Sequence, residues 1–235
     1  MTIRCVWEHN GNDSLLYCVD LVGAYTRGES LEVAVSKMNE EVSSYLKWLG
    51  KDIPDEIKIE IVEGWETELL VSDADSEAIF NSGKKLTFEE YSILKALALK
   101  SAKDFLVLYN SIEDKHKSVL PERKTFYGSV PRTASDMYEH TKNVNAYYFG
   151  EIGVDADNDG DIYECRVRGF EIVEKTDRFL DNLTIDGSYG EEWSLRKVIR
   201  RFIWHDRIHA KAMWRMAVKT FGEAENPFAF EECVR

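Results

Sequence analysis

The chain has 235 residues with 44% hydrophobic and 12% aromatic content, enough to form hydrophobic cores and to argue against disorder over most of its length. Its net charge of −13 opposes nucleic-acid binding, and no apolar run reaches the about 20 residues of a membrane span. The first residues do not resemble a signal peptide, so we expect a soluble cytoplasmic protein that binds neither nucleic acid nor membranes. The cysteines form no CxxC pair, which predicts reduced thiols: Cys5, Cys18, Cys165 and Cys233.

The beginning of the chain mixes β-prone and helical patterns. Strands are predicted from Ile3 to Glu8 and from Ser14 to Leu21, and Asn10-Gly11 between them favours a hairpin turn. An apolar stripe with helical period then runs from Leu31 to Leu49. The alternating segment from Ile57 to Val62 predicts a last strand. Residues 1–72 therefore form a predicted ββαβ domain.

The segment from Val19 to Ala34 carries a second indication. A strand-like stretch ends at a small turn, and Gly28, Ser30 and Leu31 open the helix in a Gly-x-Ser-Leu-Glu-x-Ala pattern. This arrangement resembles the HicB-like antitoxin domain. The resemblance implies a small α/β unit that binds a partner or forms a homodimer. Because no basic DNA-binding segment follows, we interpret it as an interaction or dimerisation module.

From Ser72 to Lys85 the chain is polar and rich in small residues, which predicts a domain boundary. Helical periodicity then continues almost to the end, opened by a predicted capping box at Thr87 and by a cap at Thr133. Four amphipathic helices with intervening loops predict an up-down four-helix bundle over residues 86–222, followed by a tail over 223–235. The predicted fold class is therefore α+β.

Three histidines fall on the apolar faces of this predicted bundle. In the fourth helix the inward positions from Leu195 to Met216 include His205 and His209, and His140 lies on the equivalent face of the second helix. Imidazoles four residues apart on a helix lie about 5–6 Å apart, so two of them can share one ion. A single buried histidine is more often a core residue with one hydrogen bond, but three together favour a divalent metal ion.

The motifs that end at His140 and His209 also resemble a known family. Residues Ala134 to His140 and Trp204 to His209 match the DinB/YfiT-like metalloenzymes, in which a four-helix bundle holds a divalent ion with three histidines. The resemblance implies zinc or nickel, and a small-molecule substrate acted on together with a low-molecular-weight thiol. Three neutral imidazoles leave a coordination position open for water or thiolate, which is the arrangement of catalytic metal sites.

Other polar residues near the histidines are candidates for supporting roles. Asp136 and Asp206 are candidates to accept hydrogen bonds from the ligating imidazoles, although Asp136 equally fits an N-terminal carboxylate favoured by the helix dipole. Arginines of the fourth helix either recognise an anionic substrate or solvate the outer face of the helix. These arginines are Arg200, Arg201 and Arg207. No general base is assignable.

An acidic loop precedes the third predicted helix. Its carboxylates match the first eight positions of an EF-hand calcium loop: Asp155, Asp157, Asp159 and Asp161. The position that requires a bidentate glutamate is Arg166, so calcium binding competes with a solvated acidic turn.

Three functions follow from these patterns. The first is a metal-dependent transferase or hydrolase, and the second is a non-catalytic regulatory protein whose bundle the metal stabilises. A calcium sensor is the third, and it depends on the acidic loop alone.

Overall fold

The protein is α+β and divides into two compact units, Met1–Glu77 together with Phe228–Arg235, and Ala78–Pro227. Most of the segment between Ser72 and Lys85, where we predicted a boundary, lies outside the described residues, as does Cys233. The structure is a computed structural model that describes residues 1–68, 71, 72, 74, 84–125 and 128–231.

The first unit contains four strands and one helix: β1 (Thr2–Asn10), β2 (Asp13–Cys18), β3 (Tyr25–Gly28), α1 (Leu31–Trp48) and β4 (Lys58–Glu66). The strands form one sheet in the order β3-β2-β1-β4. Strands β1 and β2 form the predicted hairpin, with Asn10 paired to Asp13 and Gly11 at a φ of +54° in the turn. Strand β4 pairs with β1 in parallel, and α1, which precedes β4 in the chain, packs on the sheet.

Strand β3 was not predicted, so the unit is βββαβ and the predicted ββαβ order is incomplete. The strand has four residues, too few for a period of two to be recognised in the sequence. Its Thr26 Oγ1 donates a hydrogen bond to the carbonyl oxygen of Ala34 at 2.8 Å, which ties the strand to the start of α1. A Cβ on Gly28 would lie 2.8 Å from Cβ of Val33, so this close approach requires glycine.

The segment that begins at Phe228 belongs to the first unit. The ring of Phe228 packs on Trp48 with centroids 5.3 Å apart, and Ser44 Oγ donates to the carbonyl oxygen of Ala229 at 2.8 Å. Residues 223–235 are therefore not a separate tail as predicted, because the chain returns to the first unit at Phe228.

The long helices described in the second unit are α2 (Phe88–Ser111), α3 (Ala134–Gly150), α4 (Ile162–Val173) and α5 (Leu195–Phe221). Each of α2 and α3 packs against both α4 and α5. The predicted caps at Thr87 and Thr133 both form capping boxes, which satisfy backbone N–H groups at the helix starts. None of the helices in the described part of the chain has the length and apolar character needed to cross a bilayer. Short elements between them are β5 (Lys124–Thr125), β6 (Gly128–Ser129), a 3₁₀ turn at Phe179–Asp181, β7 (Ile185–Asp186), a 3₁₀ turn at Ser188–Gly190 and β8 (Glu192–Trp193).

The buried face of α3 differs from the predicted one, and the expectation that His140 faces the core is wrong. His140 is exposed, whereas the next residue, Thr141, is fully buried together with Asn145. Hydrogen bonds explain why these polar groups tolerate burial: Thr141 Oγ1 donates to the carbonyl oxygen of Met137 at 2.7 Å, and Asn145 Nδ2 donates to that of Asp157 at 2.8 Å. His140 therefore lies at the edge of the helix packing.

Close packing between α3 and α4 makes Gly169 a test of the fold. A Cβ at Gly169 would lie 2.1 Å from the Phe149 ring, whereas a Cβ at Gly150, at the end of α3, would meet nothing within 4 Å. We expect Gly169→Ala to lower the free energy of unfolding by about 1–3 kcal/mol, because overpacking outweighs the helix propensity that alanine adds. Gly150→Ala is the matched control and should be neutral or stabilising by up to about 1 kcal/mol. Urea denaturation measures both, and equal stability of the two variants would contradict the packing described here.

Candidate metal centre

The three predicted metal ligands lie together in the structure. His205 and His209 are four residues apart on α5, and His140 reaches them from α3. One nitrogen from each ring can be chosen so that all three lie within 4.8 Å of one another. The ring centroids are 4.5 Å apart for His205 and His209, 4.6 Å for His140 and His209, and 5.1 Å for His140 and His205. This spacing suits three imidazoles that point at one common ion.

The electrostatic environment keeps the imidazoles of α5 neutral. Burial, followed by the proximity of His209 and His140, holds the pKa of His205 well below its usual range. Burial and the nearby His140 lower the pKa of His209 to about 3. Near pH 7 both rings therefore carry a lone pair, as a metal ligand must.

His205 also has an unsatisfied atom. Its side chain is buried, and its Nδ1 is enclosed by protein without a hydrogen-bond partner. An unpaired buried polar atom costs about 1–3 kcal/mol, so natural structures seldom keep one without a reason. A metal ion bound through this Nδ1 would relieve that cost.

The cluster is open on the side of His140, whose side chain is exposed, while His209 is half-buried. In the part of the chain that the structure describes, no cysteine or carboxylate joins the three histidines. Cys165, on α4, is buried, and its Sγ contacts the carbonyl oxygen of Ile162 at 3.5 Å within that helix. The described residues therefore supply three ligands, and a fourth position is left for solvent or for a bound small molecule.

Asp206 was predicted to support a ligating histidine, and the structure gives it a charged partner on α4. Its carboxylate is fully buried and receives hydrogen bonds from Arg166 at 3.1 and 3.3 Å. The guanidinium of Arg166 lies 3.7 Å from the ring centroid of Phe202 and its Nε donates to Asn145 at 3.3 Å. Arg166 thus connects α3, α4 and α5 beside His205, and sequence reasoning had considered it only as a missing calcium ligand.

Asp136 forms the capping box at the start of α3. Its backbone N–H donates to Thr133 Oγ1 at 3.1 Å, and its carboxylate accepts from the backbone N–H of Thr133 at 3.4 Å. The structure therefore bears out the N-terminal role that we weighed for Asp136. Its support of His140 stays a prediction.

The arginines of α5 do not solvate an outer face, so that interpretation is wrong. Arg200, Arg201 and Arg207 are at most 5% exposed, because α5 is surrounded by protein along this stretch. The guanidinium of Arg201 lies 5.4 to 5.6 Å from three aromatic ring centroids. Those rings belong to Tyr148, Trp193 and Trp204. Arg201 is therefore packed among aromatic rings, and substrate recognition by the three arginines stays a prediction.

The acidic loop is occupied by contacts within the protein. Asp157 forms an ion pair with Arg168, and the side chain of Asp161 caps α4 by accepting from the backbone N–H groups of Tyr163 and Glu164. Calcium would have to displace the ion pair and the cap, so this arrangement does not favour the predicted calcium site.

Comparison with known proteins adds no relative to this description. No protein family model, no curated protein and no solved structure matches the chain.

Proposed function

We propose that the second unit binds one divalent metal ion through His140, His205 and His209, and that the protein is an enzyme whose reaction depends on this ion. The enclosed Nδ1 of His205, with two further imidazoles at contact distance, is the observation that carries this proposal. A structural role is less well supported, because His140 is exposed and the cluster is open on that side.

The finer proposal is a DinB-like four-helix bundle that holds zinc or nickel. Its support is that the ligands come from the second and fourth of the long helices that the structure describes in the unit, as the motifs ending at His140 and His209 imply. Three neutral imidazoles suit either metal. In this proposal the reaction is a thiol-dependent transfer or a hydrolysis in the cytoplasm, where the buried free thiols of Cys5, Cys18 and Cys165 stay reduced.

The protein's own residues have three roles in this proposal. His205 and His209 hold fixed lone pairs, because burial keeps both rings neutral. The buried Arg166–Asp206 pair joins α4 to α5 at the residue that follows His205 and thereby limits the rotation of α5 against α4. His140 supplies the third ligand from α3, and because its side chain is exposed, solvent or substrate can reach the site on that side. When bound there, a divalent ion lowers the pKa of a water or thiol in its remaining position toward about 7.

A non-catalytic regulatory protein is the second candidate function. The first unit favours it, because Ser30 caps α1 directly after the close approach at Gly28, as expected for the HicB-like motif. In that case the first unit would bind a partner or a second copy, and the ion would only stabilise the helices.

Elemental analysis and cobalt substitution test the proposal. We expect about one equivalent of zinc or nickel in the purified wild type, strong loss of it in His205→Ala, and no loss in His116→Ala, whose histidine is exposed outside the cluster. Equal metal content in both variants would refute the site.

The same cobalt protein separates the two functions. Added 2-mercaptoethanol should change the visible spectrum if the fourth position exchanges, because a thiolate then enters the coordination shell. An unchanged spectrum would instead favour the regulatory function.

A further inference from the structure

A cavity of about 380 Å³ adjoins the histidine cluster. His209 forms part of its wall, and so does Met137, which lies one turn before His140 on α3. The volume lies within the range of about 300–1,000 Å³ that is usual for small-molecule sites. Most of the wall is apolar and includes Leu120, Pro131, Met137, Ile208, Ala212 and Met216.

The charge of this cavity is opposite to that of the chain. The protein carries a net charge of −13, yet the described residues of the cavity wall include three cations and no carboxylate. The cations are Arg132, Arg215 and Lys219. Arg132 is half-buried, and its Nε is enclosed without a hydrogen-bond partner, so a donor in this wall is unsatisfied.

The cations lie away from the histidines along the same groove. Arg215 and Lys219 follow His209 on α5 by six and ten residues, which corresponds to about 9 and 15 Å along the helix axis. Arg132 precedes α3 and is likewise separated from His140 by the first turns of that helix. A ligand that reaches both ends must therefore be elongated.

We propose that this cavity binds an elongated organic anion with an apolar body, its carboxylate on the cations and its other end at the ion held by His209. The proposal rests on the proposed function, since it defines the substrate class of the same site. Charge-assisted hydrogen bonds from arginine hold a carboxylate in place, and the apolar wall between the two ends accommodates a hydrocarbon chain.

Octanoate is the first probe, measured by calorimetry on the metal-free full-length protein. We expect octanoate to bind and octanol to bind at least about tenfold more weakly, because only the anion pairs with the cations. Arg132→Met, and Arg215→Gln, which keeps a polar side chain but removes the charge, should each weaken octanoate binding by about tenfold. Arg123→Met is the matched control, because Arg123 is exposed and is not part of the wall.

The second probe is 8-mercaptooctanoate, added to the cobalt-loaded protein. We expect its thiol to change the visible spectrum at a concentration at least about tenfold lower than 8-mercaptooctanol requires, and Arg132→Met to remove that advantage. An unchanged spectrum would overturn the proposed reach from the cations to the ion.

The two probes distinguish the failure of this inference from the failure of the proposed function. If cobalt binds through the histidines but octanoate does not bind, or binds Arg132→Met as it binds Arg123→Met, the anion site is refuted and the metal site stands. If octanoate binding depends on Arg132 but cobalt does not bind, the anion site stands in the cavity and the metal-dependent function falls.

Discussion

Replacing Asp206 by leucine should lower the free energy of unfolding by about 3–5 kcal/mol, because the change leaves the guanidinium of Arg166 buried without its counter-charge. Both side chains are fully buried, so solvent cannot take the place of the lost carboxylate. The double variant Arg166→Met/Asp206→Leu should recover most of the loss, since two apolar side chains replace the ion pair. Urea denaturation of the metal-free protein measures each step.

The control is the ion pair between Arg168 and Asp157, because Arg168 lies on α4 as Arg166 does. Its side chains are 39% and 48% exposed, and exposed pairs contribute about 0–1 kcal/mol. Arg168→Met should therefore change stability by no more than that amount. A small effect of Asp206→Leu, similar to that of Arg168→Met, would mean that the buried pair does not hold α4 against α5.

Local signals in the sequence predicted two of the helix starts and the hairpin. The turn at Asn10-Gly11 and the caps at Thr87 and Thr133 depend on neighbouring residues, so the sequence contains the whole cause. The proximity of His205 to His209 also follows from local spacing, since residues four apart share a face of one helix.

Some features that depend on distant contacts were not predictable. Arg166 and Asp206 are 40 positions apart, and neither residue type by itself suggests a buried partner. The face of α3 was misplaced for a similar reason, because Asn145 is buried only where the carbonyl oxygen of Asp157 accepts its hydrogen bond. Hydrophobic periodicity counts such residues as exposed, and this moved the expected face by about one position, onto His140.

A second large effect is expected at His205, with opposite signs in the absence and presence of metal. In a chelator, His205→Leu should raise the free energy of unfolding by about 1–2 kcal/mol, because it removes the buried Nδ1 that has no hydrogen-bond partner. With zinc at about 100 times the dissociation constant of the wild type, the wild type should gain about 2.7 kcal/mol and the variant almost nothing. The order of stability therefore inverts, and thermal or urea unfolding under both conditions measures it.

His116→Leu provides the comparison, since it replaces an exposed histidine and should leave both the chelator and the zinc values close to those of the wild type. If His205→Leu were less stable than the wild type in chelator, the enclosed nitrogen would not be costly. If zinc stabilised both proteins equally, the ion would bind elsewhere. Only an inverted order of stability would show that His205 has both effects. The same side chain would then destabilise the metal-free protein and supply affinity for the ion.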